Sequence, residues 1–86
     1  MATLCVHGPL KALAGGRAEH ELPAATVGAL LAALQAEYPA LRGWVLDERA
    51  TLRRHINVYV NGERAGTDTI VRQGDRVEVL PAISGG

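Results

Sequence analysis

The chain has 86 residues, with nine Lys or Arg and nine Asp or Glu, so its formal net charge at pH 7 is zero. That length suits one compact domain, and a neutral surface creates no long-range field that would gather nucleic acid. Hydrophobic residues make up 48% of the chain, but no stretch approaches the roughly 20 consecutive apolar residues that span a bilayer. We therefore expect a single soluble domain, with neither nucleic acid nor a membrane as its partner.

Signals for export, metal binding and disulfide formation are missing from the sequence. Residues 1–4 lack the basic region, apolar run and cleavage site of a secretory signal, so we expect a cytoplasmic location. Cys5, the only cysteine, can form no internal disulfide and cannot hold an iron–sulfur cluster. The histidines His7, His20 and His55 match no compact zinc spacing. We expect no metal site and no bound cofactor.

The first quarter of the chain predicts a pair of strands. Residues 3–7 alternate between apolar and other side chains until Gly8-Pro9 interrupts the pattern. The Gly15-Gly16 dipeptide then permits a tight turn, and residues 17–22 are extended and mostly polar, as expected for a partly exposed strand. We expect the two strands to form a hairpin.

One amphipathic helix is predicted over residues 27–38. Thr26 is a good N-cap, and the apolar residues after it recur at helical spacing with several alanines between them. Pro39 ends the helix, because the residue before a proline is pushed away from helical geometry. A short second helical turn is expected within residues 41–46, where we assign Trp44 to the core, before a connecting loop.

The second half of the chain predicts three more strands. Residues 56–61 alternate strictly and end in an Asn-Gly pair, a strong signal for a tight hairpin turn. Residues 63–65 supply a short return strand, and Ile70 is an isolated apolar plug in a polar connection. The last strand covers residues 76–80 and ends at Pro81.

The order of these elements predicts an α+β fold of the β-grasp type, with a mixed sheet packed on one main helix. We assign residues 1–81 to this domain. The periodic pattern lapses at residues 82–86, so we expect a flexible C-terminal tail there. Ser84, Gly85 and Gly86 add little side-chain bulk, so the carboxylate of Gly86 could be threaded through a narrow channel into another protein's active site.

The chemistry available to such a tail starts from its carboxylate, which is a poor electrophile until one oxygen becomes a good leaving group. Adenylation with ATP would convert Gly86 into an acyl phosphate anhydride, which a persulfide or thiol sulfur could attack to give a thiocarboxylate. Two terminal glycines are also common in plain frayed ends. Here the two glycines favour a functional tail, because they lie just beyond the last strand of a β-grasp pattern.

The sequence resembles the MoaD/ThiS family of ubiquitin-like sulfur carriers, and the match follows nearly the whole chain in order. The motifs that carry it are Asn57-Val58-Tyr59-Val60-Asn61-Gly62, Gly74-Asp75-Arg76-Val77 and Leu80-Pro81-Ala82-Ile83-Ser84-Gly85-Gly86. The resemblance implies that an enzyme of the ubiquitin-activating type adenylates Gly86 with ATP, and that Gly86 then becomes a thiocarboxylate. It implies a protein co-substrate and not an enzyme.

The resemblance also implies partners, and it leaves the pathway open. An acceptor enzyme would take the sulfur, in cysteine or specialised-metabolite biosynthesis, with the chain as a monomer or in a hetero-oligomer with its partner. Ala82 stands where molybdopterin-type carriers commonly have a second proline. The alternatives are the small subunit of molybdopterin synthase and a ubiquitin-like protein modifier. Electron-transfer and RNA-binding modules of this fold rank lower, because cluster ligands, a basic field and stacking aromatics are missing.

The sheet face opposite the helix is the candidate partner-binding surface, because Tyr59, Leu80 and Ile83 would make a modest apolar patch beside the tail. Cys5 would share this face, but within an apolar strand pattern a cysteine more often acts as a small hydrophobe. The Arg53-Arg54-His55 cluster would either dock an acidic partner or form a solvated loop.

Overall fold

The computed structural model describes residues 1–81, and this part of the chain contains five strands and two α-helices. In chain order they are β1 (Ala2–Val6), α1 (Pro9–Leu13), β2 (Glu19–Leu22), α2 (Val27–Glu37), β3 (Ile56–Val60), β4 (Glu63–Ala65) and β5 (Arg76–Pro81). One turn of 3-10 helix, Pro39–Leu41, follows α2. The predicted tail, residues 82–86, lies outside the described residues.

The strands form one mixed sheet in the order β2-β1-β5-β3-β4. At its centre β1 and β5, which come from opposite ends of the described chain, run parallel, and all other neighbouring pairs are antiparallel. A parallel pair needs a long crossover connection, and here that connection contains α2. The predicted α+β, β-grasp class, with a mixed sheet on one main helix, is confirmed.

A cap at its first turn and an apolar face along its length hold α2 in place. Thr26 Oγ1 accepts a hydrogen bond from the Ala29 backbone N–H at 3.2 Å, which satisfies one donor that a helix start leaves free. The apolar face packs into a single core cluster with the inner side of the sheet. The cluster includes Val27, Leu30, Leu31 and Leu34 of α2 and Leu4, Val6, Val77 and Val79 of the central strands.

The predicted Asn-Gly turn joins β3 to β4. Asn61 and Gly62 have φ values of 50° and 86°, the left-handed values that a two-residue type I′ hairpin loop requires. The Asn61 amide donates to Asp75 Oδ1 at 2.9 Å, and Asn61 Oδ1 accepts from the Arg76 N–H at 2.9 Å. Hydrogen bonds from the Arg72 N–H and from Asn61 hold the pKa of Asp75 below its usual value. These bonds tie the hairpin turn to the start of β5.

The helix α1 is missing from the sequence prediction. As expected of a hairpin, β1 and β2 pair antiparallel with Ala2 opposite Leu22, but α1 lies between them. Pro9 begins this helix, where its missing N–H leaves no bond unmade, and Leu10 is buried. A helix of five residues is too short to show a helical period, so the sequence indicates only an interruption at Gly8-Pro9.

The expectation that Trp44 belongs to the core is wrong, because 50% of its surface is exposed. The helical turn lies earlier, at Pro39–Leu41, and Gly43 follows it with a φ of 84°. A residue in this left-handed region interrupts the helical periodicity from which the inward-facing side chains were predicted. Val45 and Leu46 therefore enter the core while Trp44 lies on the surface.

The expectation that Ile70 plugs the core is also wrong, because Ile70 is 63% exposed and Val71 is 2% exposed. Ile70 forms an isolated antiparallel bridge with Thr26, and the Val71 N–H donates to the Ala25 carbonyl at 2.7 Å. Consecutive side chains of an extended segment point to opposite sides. Val71 thus occupies the inward position that the sequence predicts for Ile70.

The two neighbours give a matched stability test. We expect Val71→Ala to lower the free energy of unfolding by about 2 kcal/mol, from lost burial and the cavity left behind. Ile70→Ala should change it by less than about 0.5 kcal/mol, because little buried surface is lost. Urea denaturation followed by circular dichroism measures both values. Equal losses in the two variants would contradict this assignment of the core.

Candidate functional site

The outer face of the sheet, which points away from α2, brings together two of the predicted site residues. Tyr59 lies opposite Glu78, and Leu80 lies opposite Asn57. Because side chains alternate along a strand, all four share the outer face. Tyr59 and Leu80 are partly buried and are diagonal neighbours on adjacent strands, which brings large side chains within reach of each other. Their binding of a partner stays a prediction.

A charged network covers the other half of the outer face. Arg76 on β5 forms ion pairs with Glu19 on β2 at 3.1 Å and with Glu78 at 3.4 Å. All three side chains are more than a third exposed, so the pairs add little to the free energy of unfolding. The hydrogen bond to Glu19, followed by the hydrogen bond to Glu78, raises the pKa of Arg76. The network therefore lies over β2, β1 and β5.

Cys5 lies beneath this network, opposite Glu78 on one side and Glu19 on the other. Its side chain is 1% exposed, although it points to the outer face. Burial raises the pKa of the Cys5 thiol and outweighs the lowering effect of the nearby Arg76 charge. A covered thiol that stays protonated is a poor nucleophile. These observations support the structural role that the sequence pattern indicates for Cys5.

Pro81 is the last described residue, and we call it the root of the tail. It lies at the end of β5 opposite Ile56, and a Cβ added to Gly8 would come within 3.8 Å of Pro81 Cγ. The point where the chain leaves the sheet therefore has neighbours on both sides. The remaining predicted site residues lie outside the described residues: Ile83, Ser84, Gly85 and Gly86.

A groove of about 380 Å³ opens beside the root, and we call it the root groove. It is lined by Pro9, Leu10, Trp44, Arg53, His55 and Pro81, among others. Sequence reasoning missed the groove, because its lining comes from four separate segments of the chain. Two features of the sequence belong to the groove but do not predict it alone: Trp44, which is the only tryptophan, and the basic cluster Arg53-Arg54-His55 before β3.

The histidines lie in different surroundings. His20 is buried, its Nε2 lies 2.9 Å from the Arg17 carbonyl oxygen, and its ring meets Tyr38 edge-on with centroids 5.3 Å apart. His55, in contrast, lines the root groove. Within residues 1–81, no three His, Cys, Asp or Glu side chains converge as metal ligands. Neither helix of this part of the chain is long and apolar enough to cross a membrane.

Comparison with known proteins identifies relatives over most of the chain. The model of the ThiS family matches residues 6–86. The sulfur carrier protein CysO of Mycobacterium tuberculosis is 31% identical over 90 residues, covering 98% of this chain and 97% of that protein. Small archaeal modifier protein 1 of Haloferax volcanii is 42% identical over 62 residues, covering 72% of this chain and 71% of that protein. The crystal structure of the Amycolatopsis orientalis BexX/CysO complex matches with a TM-score of 0.88 at 30% identity, covering 100% of both chains.

The covered position of Cys5 can be tested by its reactivity. At pH 8 we expect the aromatic disulfide reagent DTNB to label folded Cys5 at least about tenfold more slowly than the unfolded chain, because the thiol is covered and protonated. A Cys5→Ala, Ile70→Cys double variant is the control, because its single thiol replaces a side chain that is 63% exposed. Release of the coloured thiolate measures the rates. Equally fast labelling of both folded proteins would show that Cys5 is open to solvent.

Proposed function

This chain belongs to the ThiS family, and we propose that its working group is the carboxylate of Gly86, which a partner enzyme adenylates and a sulfur donor converts to a thiocarboxylate. The fold, the family and the relatives together assign the chain to the ubiquitin-like sulfur carriers and modifiers. The observation that carries the proposal is the family match, which extends through Gly86. Gly85 and Ser84 are the residues that accompany Gly86 into the partner.

The proposed reaction has two steps. A carboxylate oxygen of Gly86 attacks the α-phosphorus of ATP, pyrophosphate leaves, and the acyl adenylate forms on the partner enzyme. The donor sulfur then attacks the Gly86 carbonyl carbon, and the carbon–oxygen bond to AMP breaks. Sulfide gives the thiocarboxylate directly, whereas a persulfide gives an acyl disulfide that a thiol must then reduce.

The described domain supports a role as carrier and not as catalyst. Its one cysteine is covered by charged side chains and has a raised pKa, so the sulfur chemistry is better assigned to the tail than to Cys5. ATP then belongs to the activating partner, and the domain itself needs no bound cofactor. The domain's contribution is to present Gly86 from a fixed root at Pro81.

The partners we propose are an adenylating enzyme of the ubiquitin-activating type and an enzyme that accepts the sulfur. Similarity to CysO proteins favours an acceptor in cysteine or specialised-metabolite biosynthesis over molybdopterin synthase. A second candidate function, attachment of Gly86 to other proteins, is favoured by the 42% identity to a small archaeal modifier protein. Both functions begin with the same activated glycine, so adenylation alone does not separate them.

Mass spectrometry of the intact chain tests the proposal. We expect incubation with ATP, the activating enzyme of the same cell and a sulfur donor to add about 16 Da, because one oxygen of Gly86 is exchanged for sulfur. Oxidation of Met1 or Cys5 also adds about 16 Da, so a thiocarboxylate-selective reagent must capture the product. A variant without Gly86 is the control and should gain no such mass. An unmodified Gly86 with an enzyme active on another carrier would contradict the proposal.

The outer face can be tested separately from the tail. We expect Leu80→Glu to weaken binding of the activating enzyme at least about tenfold, because it puts a charge into the apolar patch beside Tyr59. The matched control is Ile70→Glu, which makes the same change at an exposed isoleucine outside this face and should bind as the unaltered chain does. Calorimetric titration gives the Kd values, and proton NMR checks folding. A folded Leu80→Glu variant with unchanged Kd would exclude Leu80 from the interface.

A further inference from the structure

We propose that the root groove binds a segment of the adenylating enzyme in which an apolar side chain stands next to a carboxylate. The inference rests on the proposed function for the identity of this partner. The root groove would be a second contact surface, in addition to the outer face of the sheet, and it lies on the opposite side of β5.

Most of the side chains that line the groove are apolar: Pro9, Leu10, Trp44, Ile56 and Pro81. Leu10 and Ile56 are buried, whereas half of the Trp44 surface is exposed. A volume of about 380 Å³ falls at the lower end of the range for sites that enclose small ligands, so it suits one or two side chains of a protein partner. A larger cleft of about 560 Å³ lies beside α2, but neither Trp44 nor Pro81 lines it.

Trp44 gives the groove its largest apolar side chain. Half of its surface is exposed, and it is the only tryptophan of the chain. Tryptophan and arginine dominate binding hot spots, where a large side chain is desolvated in a pocket and surrounded by weaker contacts. Trp44 and Arg53 stand together in this groove. Covering Trp44 would therefore bury apolar surface that the folded domain leaves in water.

Arg53 and His55 are the basic side chains that line the groove, and no acidic residue of the described range 1–81 lines it. Asp47 and Glu48 lie nearby, because they line a neighbouring pocket together with Arg53 and His55. One of the acids, Asp47, already accepts hydrogen bonds from the Arg49 N–H and from Thr51. The ion pairs found within residues 1–81 involve Arg76 and leave Arg53 without an acidic partner. A carboxylate from outside the domain would complement Arg53 and His55 at the rim.

The short distance along the chain from Pro81 to Gly86 requires the adenylating enzyme to approach the root groove. Gly86 is five residues beyond Pro81, and because an extended chain spans at most about 3.6 Å per residue, its carboxylate lies within about 18 Å of the root. An enzyme that encloses Gly86 must therefore approach the surface around Pro81, which includes the groove. Consecutive side chains of a strand point to opposite faces. The same partner can thus contact Leu80 on the outer face and the root groove on the inner side.

Fluorine NMR of the full chain tests the proposal, because 5-fluorotryptophan labels one position, Trp44. We expect the single resonance to shift or broaden saturably as the activating enzyme is added. Trp44→Ala and Arg53→Glu should each raise the KM of adenylation for the chain at least about tenfold with little change in kcat. Contacts distant from the reacting carbon stabilise the bound chain and the transition state equally, so their loss weakens binding without slowing the chemical step. Arg72→Glu, the same charge reversal at an exposed arginine outside the groove, should stay within about twofold.

Several results would overturn the assignment. An unchanged resonance at saturating enzyme, while Gly86 is adenylated, would show that the groove stays open and would leave the proposed function intact. A resonance that moves with chain concentration alone would identify a second copy as the occupant, and one that moves on deletion of residues 82–86 would identify the chain's own tail. A saturable shift of the resonance, with no adenylation of Gly86 by an enzyme active on another carrier, would support binding at the groove and contradict the function proposed for Gly86.

Discussion

The parallel pairing of β1 with β5 is the contact on which the rest of the structure depends. Leu4 lies opposite Val77 and Val6 opposite Val79, and none of these four side chains is more than 1% exposed. Strands from the two ends of the described chain can meet in parallel only if the chain between them crosses over the sheet. That crossing brings α2 onto the inner face and leaves the shorter antiparallel strands at the edges.

The pairing of β1 with β5 also fixes the position of Pro81 and of the two surfaces beside it. Since β5 lies between β1 and β3, its last residues are supported on both sides, and the root at Pro81 is a defined point on the surface. Leu80 and Pro81 point to opposite faces of the sheet. A small fold with one sheet and one main helix therefore offers two different surfaces at a single position: a partly apolar sheet face beside Leu80, and beside Pro81 a mostly apolar groove that also contains Arg53 and His55.

The sequence predicts most of this architecture, because the main signals are periodic and local. Alternation indicates β3 and β5, helical spacing and Thr26 indicate α2, and the Asn-Gly pair indicates the β3–β4 turn. Two of the three errors have a common physical cause. At α1 and at Trp44 a proline or glycine changes the direction of the chain within a few residues, too few for a period to appear. The root groove is harder still, because only the folded chain brings its four segments together.

The use of arginine around the root has a chemical consequence for an activated Gly86. An acyl adenylate acylates free amines, and lysine supplies them, whereas a guanidinium stays protonated and is not a nucleophile at neutral pH. Lys11 is the only lysine among the nine Lys and Arg residues of the chain. The root groove thus offers basic side chains to an acidic partner, while the chain has a single side-chain amine. This composition would limit self-acylation by the activated intermediate that we propose.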